Sequence, residues 1–320
     1  MNRSDFARLL DQLGSLSPKQ RAQVQGILTA LPDTAPSAVA RIIPGPEACP
    51  HCQAPAEQLR PWGHSHGLAR MRCHSCGRTS NALTGTPLAH LRRREQWMHH
   101  AQALIEGASV RKAAQCCGVD KNTAFRWRHR FLQAAAMHRP AHEGGIVEAD
   151  ETFFLESFKG QRKLPRPARK RGGAGAYFER VAVLVARDRS GQTADFRLEN
   201  VDAAHITAVL NPLIDKDAIL CTDGAVIYQK VARTMGVTHR AVNVQKGIRV
   251  LDGAFHIQNV NAYDSRLKQW MSRFHGVATK YLENYLGWRR MIERYRQNIS
   301  PNVCLYEALG RWQPQQLMQT

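Results

Sequence analysis

A chain of 320 residues is long enough for one large core and one or two small modules, and a hydrophobic share of 43% excludes wholesale disorder. Against 26 Asp and Glu stand 45 Lys and Arg, a formal charge of +19 that favours a polyanionic partner over a neutral one. No apolar run approaches the ~20 residues that span a bilayer, so no membrane-spanning helix is expected.

In chain order, the opening MNRSDFARLLDQLG carries acids and lacks the apolar core of a signal peptide, so a cytoplasmic chain with reduced thiols is expected. Residues 3–31 read as helix, with Phe6, Leu9, Leu10 and Leu13 at helical spacing and Ser17-Pro18 opening a second turn. The Pro- and Ala-rich stretch 32–46 reads as a linker, 47–88 as a Cys-bearing segment and 92–136 as helical. A Gly- and Pro-containing break at 138–145 marks the main boundary. Beyond it, short strands are expected at 146–154, 180–186 and 193–198, with a turn at Ser190-Gly191. A helix at 203–214, a strand at 218–222, a helix at 226–235, a strand near 238–244 and mainly helix from about 252 complete the pattern. That order predicts an RNase H-like α/β catalytic domain, a mixed sheet flanked by helices. The predicted organisation is an N-terminal helical segment and linker (1–46), a zinc ribbon (47–88), a helix-turn-helix (89–140) and the RNase H-like domain (144–320).

Cys49-Pro-His-Cys52 and Cys73-His-Ser-Cys76 are two C-x₂-C knuckles with 20 residues between them. Two such knuckles complete a tetrahedral Cys₄ shell for structural Zn²⁺, and Gly77 suits the tight turn after the second. His51, His64, His66 and His74 are possible substitute ligands that read better as surface residues. A closed four-ligand site leaves no open position, so this metal would fold a module and do no chemistry. Four unrelated buried cysteines, or a redox pair, are the alternative.

The run 109–128 has the layout of a helix-turn-helix. Ser109 can cap a first helix that packs Val110, Ala113 and Ala114, Gly118 can take the left-handed turn position, and Asp120 can cap a second helix. That helix offers Lys121, Asn122, Arg126, Arg128 and Arg130 to phosphates and base edges; an ordinary helical hairpin with a solvated basic face is the alternative. Cys116 and Cys117 read as small core residues. The loop 159–171 (KGQRKLPRPARKR) has seven cations in thirteen residues, and Lys159, Arg162, Lys163, Arg169, Lys170 and Arg171 are expected on DNA.

Asp150 lies in a strand-like run whose alternation puts Glu148 on its face and Val147, Ala149 and Phe153 on the other. Asp223 follows a second strand in Leu220-Cys-Thr-Asp-Gly224, at the carboxyl edge where α/β sheets build their sites. Either aspartate alone could be a turn former or a surface acid; their joint placement on the first and fourth strands carries the signal. Residues 256–270 read as helix, with Val260, Tyr263, Leu267, Trp270 and Phe274 on an apolar face, and Asn261 and Lys268, two turns apart, sharing another.

These motifs together resemble the zinc-ribbon, DDE-type bacterial insertion-sequence transposases of the ISXO-like group. The resemblance spans nearly all of 45–298: the paired knuckles, Thr84-Gly-Thr-Pro87, Val-Glu-x-Asp-Glu at 147–151, Thr222-Asp-Gly224, His256, Asn261, Lys268 and the tail 276–285. Many such enzymes carry Glu at the position of Asn261, with His five residues before and Lys seven after, while some relatives are similar to this chain in carrying Asn. The resemblance implies an Asp150, Asp223, Asn261 active site that cuts and transfers DNA strands at element ends with two Mg²⁺ (or Mn²⁺) ions. Lys268 and His256 would contact the phosphate or leaving group, and Glu148, Glu151 and Asp264 would support the ligands, with Asp264 the rival for third ligand. Implied partners are double-stranded DNA, both element ends and target, and further copies of the chain in a dimer or larger oligomer on DNA. Implied surroundings are a bacterial nucleoid. A domesticated, non-catalytic DNA-binding regulator and an RNA-binding structural protein are the alternatives; neither has a use for the carboxylates.

Overall fold

Alternation of apolar and polar residues builds the centre of the computed structural model, which describes residues 3–30, 35–42, 46, 48–167, 180–243 and 247–311. The chain divides into two compact units, Met1–Ala82 with Arg93–Met98, and Leu83–Arg92 with His99–Thr320.

The first unit begins with α1 (Arg3–Gly14) and α2 (Pro18–Ala30). The helix expected over 3–31 is interrupted because Ser17 and Gln20 form a reciprocal cap: the Ser17 backbone N–H donates to Gln20 Oε1 at 2.9 Å and the Gln20 N–H to Ser17 Oγ at 3.4 Å. Leu9 and Leu10 of α1 are exposed. The expected linker 32–46 instead contains α3 (Ala35–Ile42), which buries Ala38 and Val39. Burial of two apolar side chains on one helical face outweighs the Pro-rich composition of its flanks. A three-stranded antiparallel sheet follows: β1 (Leu59–Ser65), β2 (Leu68–Cys73) and β3 (Thr79–Asn81), in the order β1-β2-β3.

The helical stretch expected at 92–136 is three helices: α4 (Trp97–Ile105), α5 (Val110–Cys117) and α6 (Lys121–Met137). Gly107 and Gly118 in the left-handed region end the first two, and Ser109 and Asp120 cap the next two. Then come β4 (Ile146–Leu155), β5 (Arg180–Asp188), β6 (Thr193–Leu198), α7 (Ala203–Leu210), β7 (Ile219–Thr222), α8 (Val226–Met235) and β8 (Thr238–Ala241). The sheet order is β6-β5-β4-β7-β8; β4–β5 and β5–β6 are antiparallel, β4–β7 and β7–β8 parallel. Val147, Ala149, Leu184, Ala186 and Leu220 pack with Ile206 and Leu210 of α7 and Tyr228 and Val231 of α8 in one core. On the other face lies α9 (Gln258–Ser272).

The last helices, α10 (Leu282–Tyr295) and α11 (Pro301–Ala308), pack against α6. Here α10 approaches so closely that a Cβ on Gly287 would lie 2.5 Å from the carbonyl carbon of Ala135. The buried Arg290 donates from Nη2 to Ala135 O (3.2 Å) and Ala136 O (2.9 Å), and from Nη1 to Asp195 of β6. The helix-turn-helix and the sheet therefore share one compact unit, and the break at 138–145 separates segments of sequence without separating two bodies.

Candidate active site and metal centre

Parallel pairing of β4 and β7 brings the two aspartates together. Glu148 is registered with Cys221, and extending that register by two residues sets Asp150 beside Asp223, just past the end of β7. Gly224, at φ +88°, turns the chain away there, and the Ala225 N–H donates to Asp223 Oδ1 at 2.9 Å. Asp150 is half-buried and Asp223 exposed. Burial raises the Asp150 carboxyl above its ordinary range; Asp223 adds to the rise, and Lys268 opposes it. Glu151, on the opposite face of β4, is raised by burial too and accepts from the Tyr228 hydroxyl at 2.7 Å. Such carboxylates, crowded and short of positive charge, form an electronegative corner suited to hard cations.

The opposite wall is α9. Asn261 and Lys268 are exposed on it, and Asp264 lies between them at helical spacing, 6% exposed and, among the described residues, with no partner for Oδ1. Burial, with Asp150 next in importance, pushes the Asp264 carboxyl up to about 7. The stripe therefore holds both candidates for a third ligand.

What fixes α9 over β4 is Glu148, fully buried. Its Oε2 accepts the N–H groups of Asn259 (2.8 Å) and Val260 (2.9 Å), two of the unpaired donors in the helix's first turn. Its Oε1 accepts from Asn259 Nδ2 (2.9 Å) and pairs with Arg189 Nη1 (2.8 Å). A carboxylate at this end also complements the helix dipole. His256 belongs to the same network, its Nε2 2.7 Å from Arg189 Nη1 and its Nδ1 3.4 Å from Glu148. That engagement places His256 within the network that seats α9 on β4. Arg189 carried no sequence signal; the paired acids of 147–151 did point to Glu148.

In the first unit the four cysteine Sγ atoms lie within 4.8 Å of one another, with Cys49–Cys76 at 3.8 Å and Cys52–Cys73 at 3.7 Å. Four sulfurs about 2.3 Å from a shared ion would stand about 3.8 Å apart, so the cluster has the dimensions of a tetrahedral zinc site. The Gly77 N–H closes the second knuckle on Cys73 O at 2.9 Å, and the Cys76 N–H on the Cys73 sulfur helps draw that thiol down to about 6. His51 is not a ligand: its Nε2 lies 3.2 Å from Thr79 O.

On the helix-turn-helix, Ser109 Oγ accepts from the Lys112 N–H and Asp120 Oδ1 from the Asn122 N–H, the caps that the sequence suggested. Lys121, Asn122 and Arg126 are exposed. Arg128 is not: 2% exposed, it donates to Ala108 O at 2.6 Å and Tyr285 Oη at 3.3 Å and lies over the Trp288 ring. Residues two apart on a helix point about 200° apart, so Arg126 and Arg128 face opposite ways. Arg130 is also spent internally, on Pro87 O and Ala89 O. Cys117 is buried, whereas Cys116 is exposed and outside the core. In the basic loop Arg162 and Lys163 are exposed, but Lys159 Nζ is engaged by the turn that follows α9, donating to Gly276 O (2.9 Å) and His275 O (3.2 Å). Arg169, Lys170 and Arg171 lie outside the described residues. Among the described residues no helix is long and apolar enough to cross a membrane.

Residues 143–290 match the model of the ISXO2-like transposase domain, and residues 91–136 that of a homeodomain-like domain. No curated protein matches the chain. Similar solved structures include a simian T-cell lymphotropic virus intasome in complex with PP2A regulatory subunit B56 gamma, at 11% identity over 60% of this chain and 68% of that one, TM-score 0.29. A pre-cleavage Mos1 transpososome is 13% identical over 67% of this chain and 79% of that one, TM-score 0.24, and a Mos1 strand transfer complex is 14% identical over 67% and 78%, TM-score 0.21. Over residues 143–290 the chain is thus similar to the ISXO2-like transposase domain, and over residues 91–136, just before it, to a homeodomain-like domain.

Proposed function

We propose that the chain cuts and transfers DNA strands at the ends of an insertion sequence, with Asp150, Asp223 and Asn261 as the oxygen ligands of divalent metal. The observation that carries this reading is the β4–β7 register that sets Asp223 beside Asp150 under α9. The donor set, two carboxylates and an amide carbonyl, fits Mg²⁺ or Mn²⁺. Two such ions supply charge neutralisation at the phosphate and leaving oxygen and an activated hydroxyl for in-line attack. Asp150, Asp223 and Asn261 would hold the ions, the two aspartates through carboxylate oxygens and Asn261 through its amide carbonyl. Lys268, exposed one turn beyond Asp264, pairs with a phosphate oxygen. Glu148 holds α9 so that Asn261 and Lys268 stay opposite Asp150. With Asn in place of a third carboxylate the site loses one negative charge, so a higher Mg²⁺ demand or a Mn²⁺ preference follows.

Duplex DNA is read by Lys121, Asn122 and Arg126, with Arg162 and Lys163 on the flank or target strand. The four cysteines hold one structural Zn²⁺. The chain acts in the bacterial cytoplasm on nucleoid DNA, as a dimer or larger oligomer that pairs two ends.

The test is strand cleavage of candidate element ends at graded Mg²⁺. Asp150→Ala and Asp223→Ala should abolish cleavage and leave end binding intact, because metal ligands serve the transition state. Asn261→Ala should cost nearly as much, and Asn261→Asp should keep some activity. Full activity in Asn261→Ala with none in Asp264→Ala would move the third vertex to Asp264.

A further inference from the structure

The ribbon sheet has two unlike faces. On β1 and β2, Leu59 is registered with Cys73, and both are buried on the metal side. Alternation then places the next registered pair, Arg60 and Arg72, on the opposite face. Arg70 shares it, registered with Asn81 and donating to Thr79 Oγ1 at 3.1 Å. A β-bulge between Pro61 and His64 carries Trp62 out of strict alternation, and the Arg72 guanidinium lies 4.6 Å from the centre of its ring. Trp62 is 50% exposed.

Two features of this face are costly for a fold that uses it for nothing. Like charges directly opposite one another across an antiparallel pair are destabilising, and among the described residues neither Arg60 nor Arg72 is paired with a carboxylate. Within 48–82 there are four arginines and one acid, Glu57, so charge of one sign goes unanswered within the module. The stacked Trp62 also restricts the Arg72 guanidinium, reducing the freedom lost when it meets an anion.

We propose that the ribbon face formed by Arg60, Trp62, Arg70 and Arg72 is a second DNA-contacting surface, in which the arginines bind backbone phosphates of duplex DNA independently of the helix-turn-helix. The proposal rests on the transposase reading for its choice of duplex DNA as the anion. Its role is affinity without base reading: guanidinium–phosphate contacts position a duplex and carry little sequence information. Trp62 lies against sugar and groove wall and keeps Arg72 oriented.

The test uses the full chain and a fluorescent duplex of the element end, titrated at several salt concentrations, with a scrambled duplex alongside. Each phosphate contact contributes about 0.9 to the slope of log K against log salt. The double variant Arg60→Gln/Arg72→Gln should lower that slope by about two and weaken both duplexes together, leaving their ratio unchanged. Arg60→Lys/Arg72→Lys should keep the wild-type slope. Zinc content of one ion per chain and an unchanged melting temperature report that the ribbon is folded; if the Gln pair loses zinc, the single Arg72→Gln, expected to lower the slope by about one, replaces it. An unchanged slope in a zinc-loaded variant overturns the inference, as does a selective loss on the element end only, which would make these residues base readers. Unchanged DNA binding with loss of self-association would assign the face to a second copy instead. A wild-type chain that binds no duplex overturns the transposase reading too; a steep wild-type slope that the variant preserves overturns this inference alone.

Discussion

Helices α6 and α9 are both held by a buried charge, at opposite ends. Arg290 donates to carbonyls in the last turn of α6, whereas Glu148 accepts N–H groups from the first turn of α9. Each charge complements the dipole at its end. They differ in where the anchor stands. Glu148 is two residues from Asp150 on the same strand, so it ties α9 directly to the catalytic corner. Arg290 stands on α10 and reaches Asp195 on β6, so it ties the recognition helix to the far side of the sheet. One anchor seats a wall of the candidate active site; the other seats the helix proposed to read DNA.

The largest expected effects come from breaking each anchor in turn. Removing one partner of a buried pair costs about 3–5 kcal/mol, because the other is left unpaired. Arg290→Met should therefore lower the melting temperature sharply and weaken end binding and cleavage together. Glu148→Gln, which keeps an acceptor but no charge, should cut cleavage far more than end binding. Equal losses in binding and cleavage for Glu148→Gln would erase the distinction between the anchors. Next in size is Gly287→Ala, whose new methyl meets the backbone of Ala135 at 2.5 Å; overpacking of this kind costs about 1–3 kcal/mol, read as denaturant midpoint.

The contrast within α6 sharpens the same point. Arg126→Ala should weaken end binding by about 1–3 kcal/mol with an unchanged melting temperature, and Arg128→Ala should do the reverse. Footprints lost in both variants at constant stability would contradict the inward placement of Arg128.

The smallest effect is a pH slope. Glu143, fully buried, is raised to about 9, mainly by burial and further by Asp188. The folded chain keeps this proton at a pH where the unfolded chain has released it. Its contribution to stability is thus full below the ordinary carboxyl range and is lost as pH rises towards about 9. Glu143→Gln should flatten that decline, gaining at least about 2 °C on wild type at pH 9 relative to pH 6. Parallel curves would show that Glu143 does not titrate across the transition.

What was legible in the sequence was local. The two knuckles, the caps at Ser109 and Asp120, and the order of strands and helices were all written in residues a few positions apart. The inward turn of Arg128 was legible too, since helical spacing separates it from Arg126, but a count of cations hides the direction in which each one points. Other features had no local signature. Glu148 meets Asn259 across 111 residues, and Lys159 reaches Gly276 across 117; an acid in a strand and a lysine in a basic loop look the same whether they face solvent or bind a distant backbone. The helix α3 was masked by its Pro-rich flanks.

The close seating of α10 on α6 has a consequence for the DNA. On the proposed reading, the helix that meets DNA and the sheet that cuts it lie in one compact unit, so the protein would act as a calliper of fixed gap. For a duplex read at the first turn of α6 and cut at Asp150, the number of base pairs between the two points is set by protein geometry. Inserting about five base pairs, half a helical turn, would turn the scissile phosphate to the far side of the duplex, while a full turn of about ten would restore its face at the wrong distance. Neither spacing fits the gap.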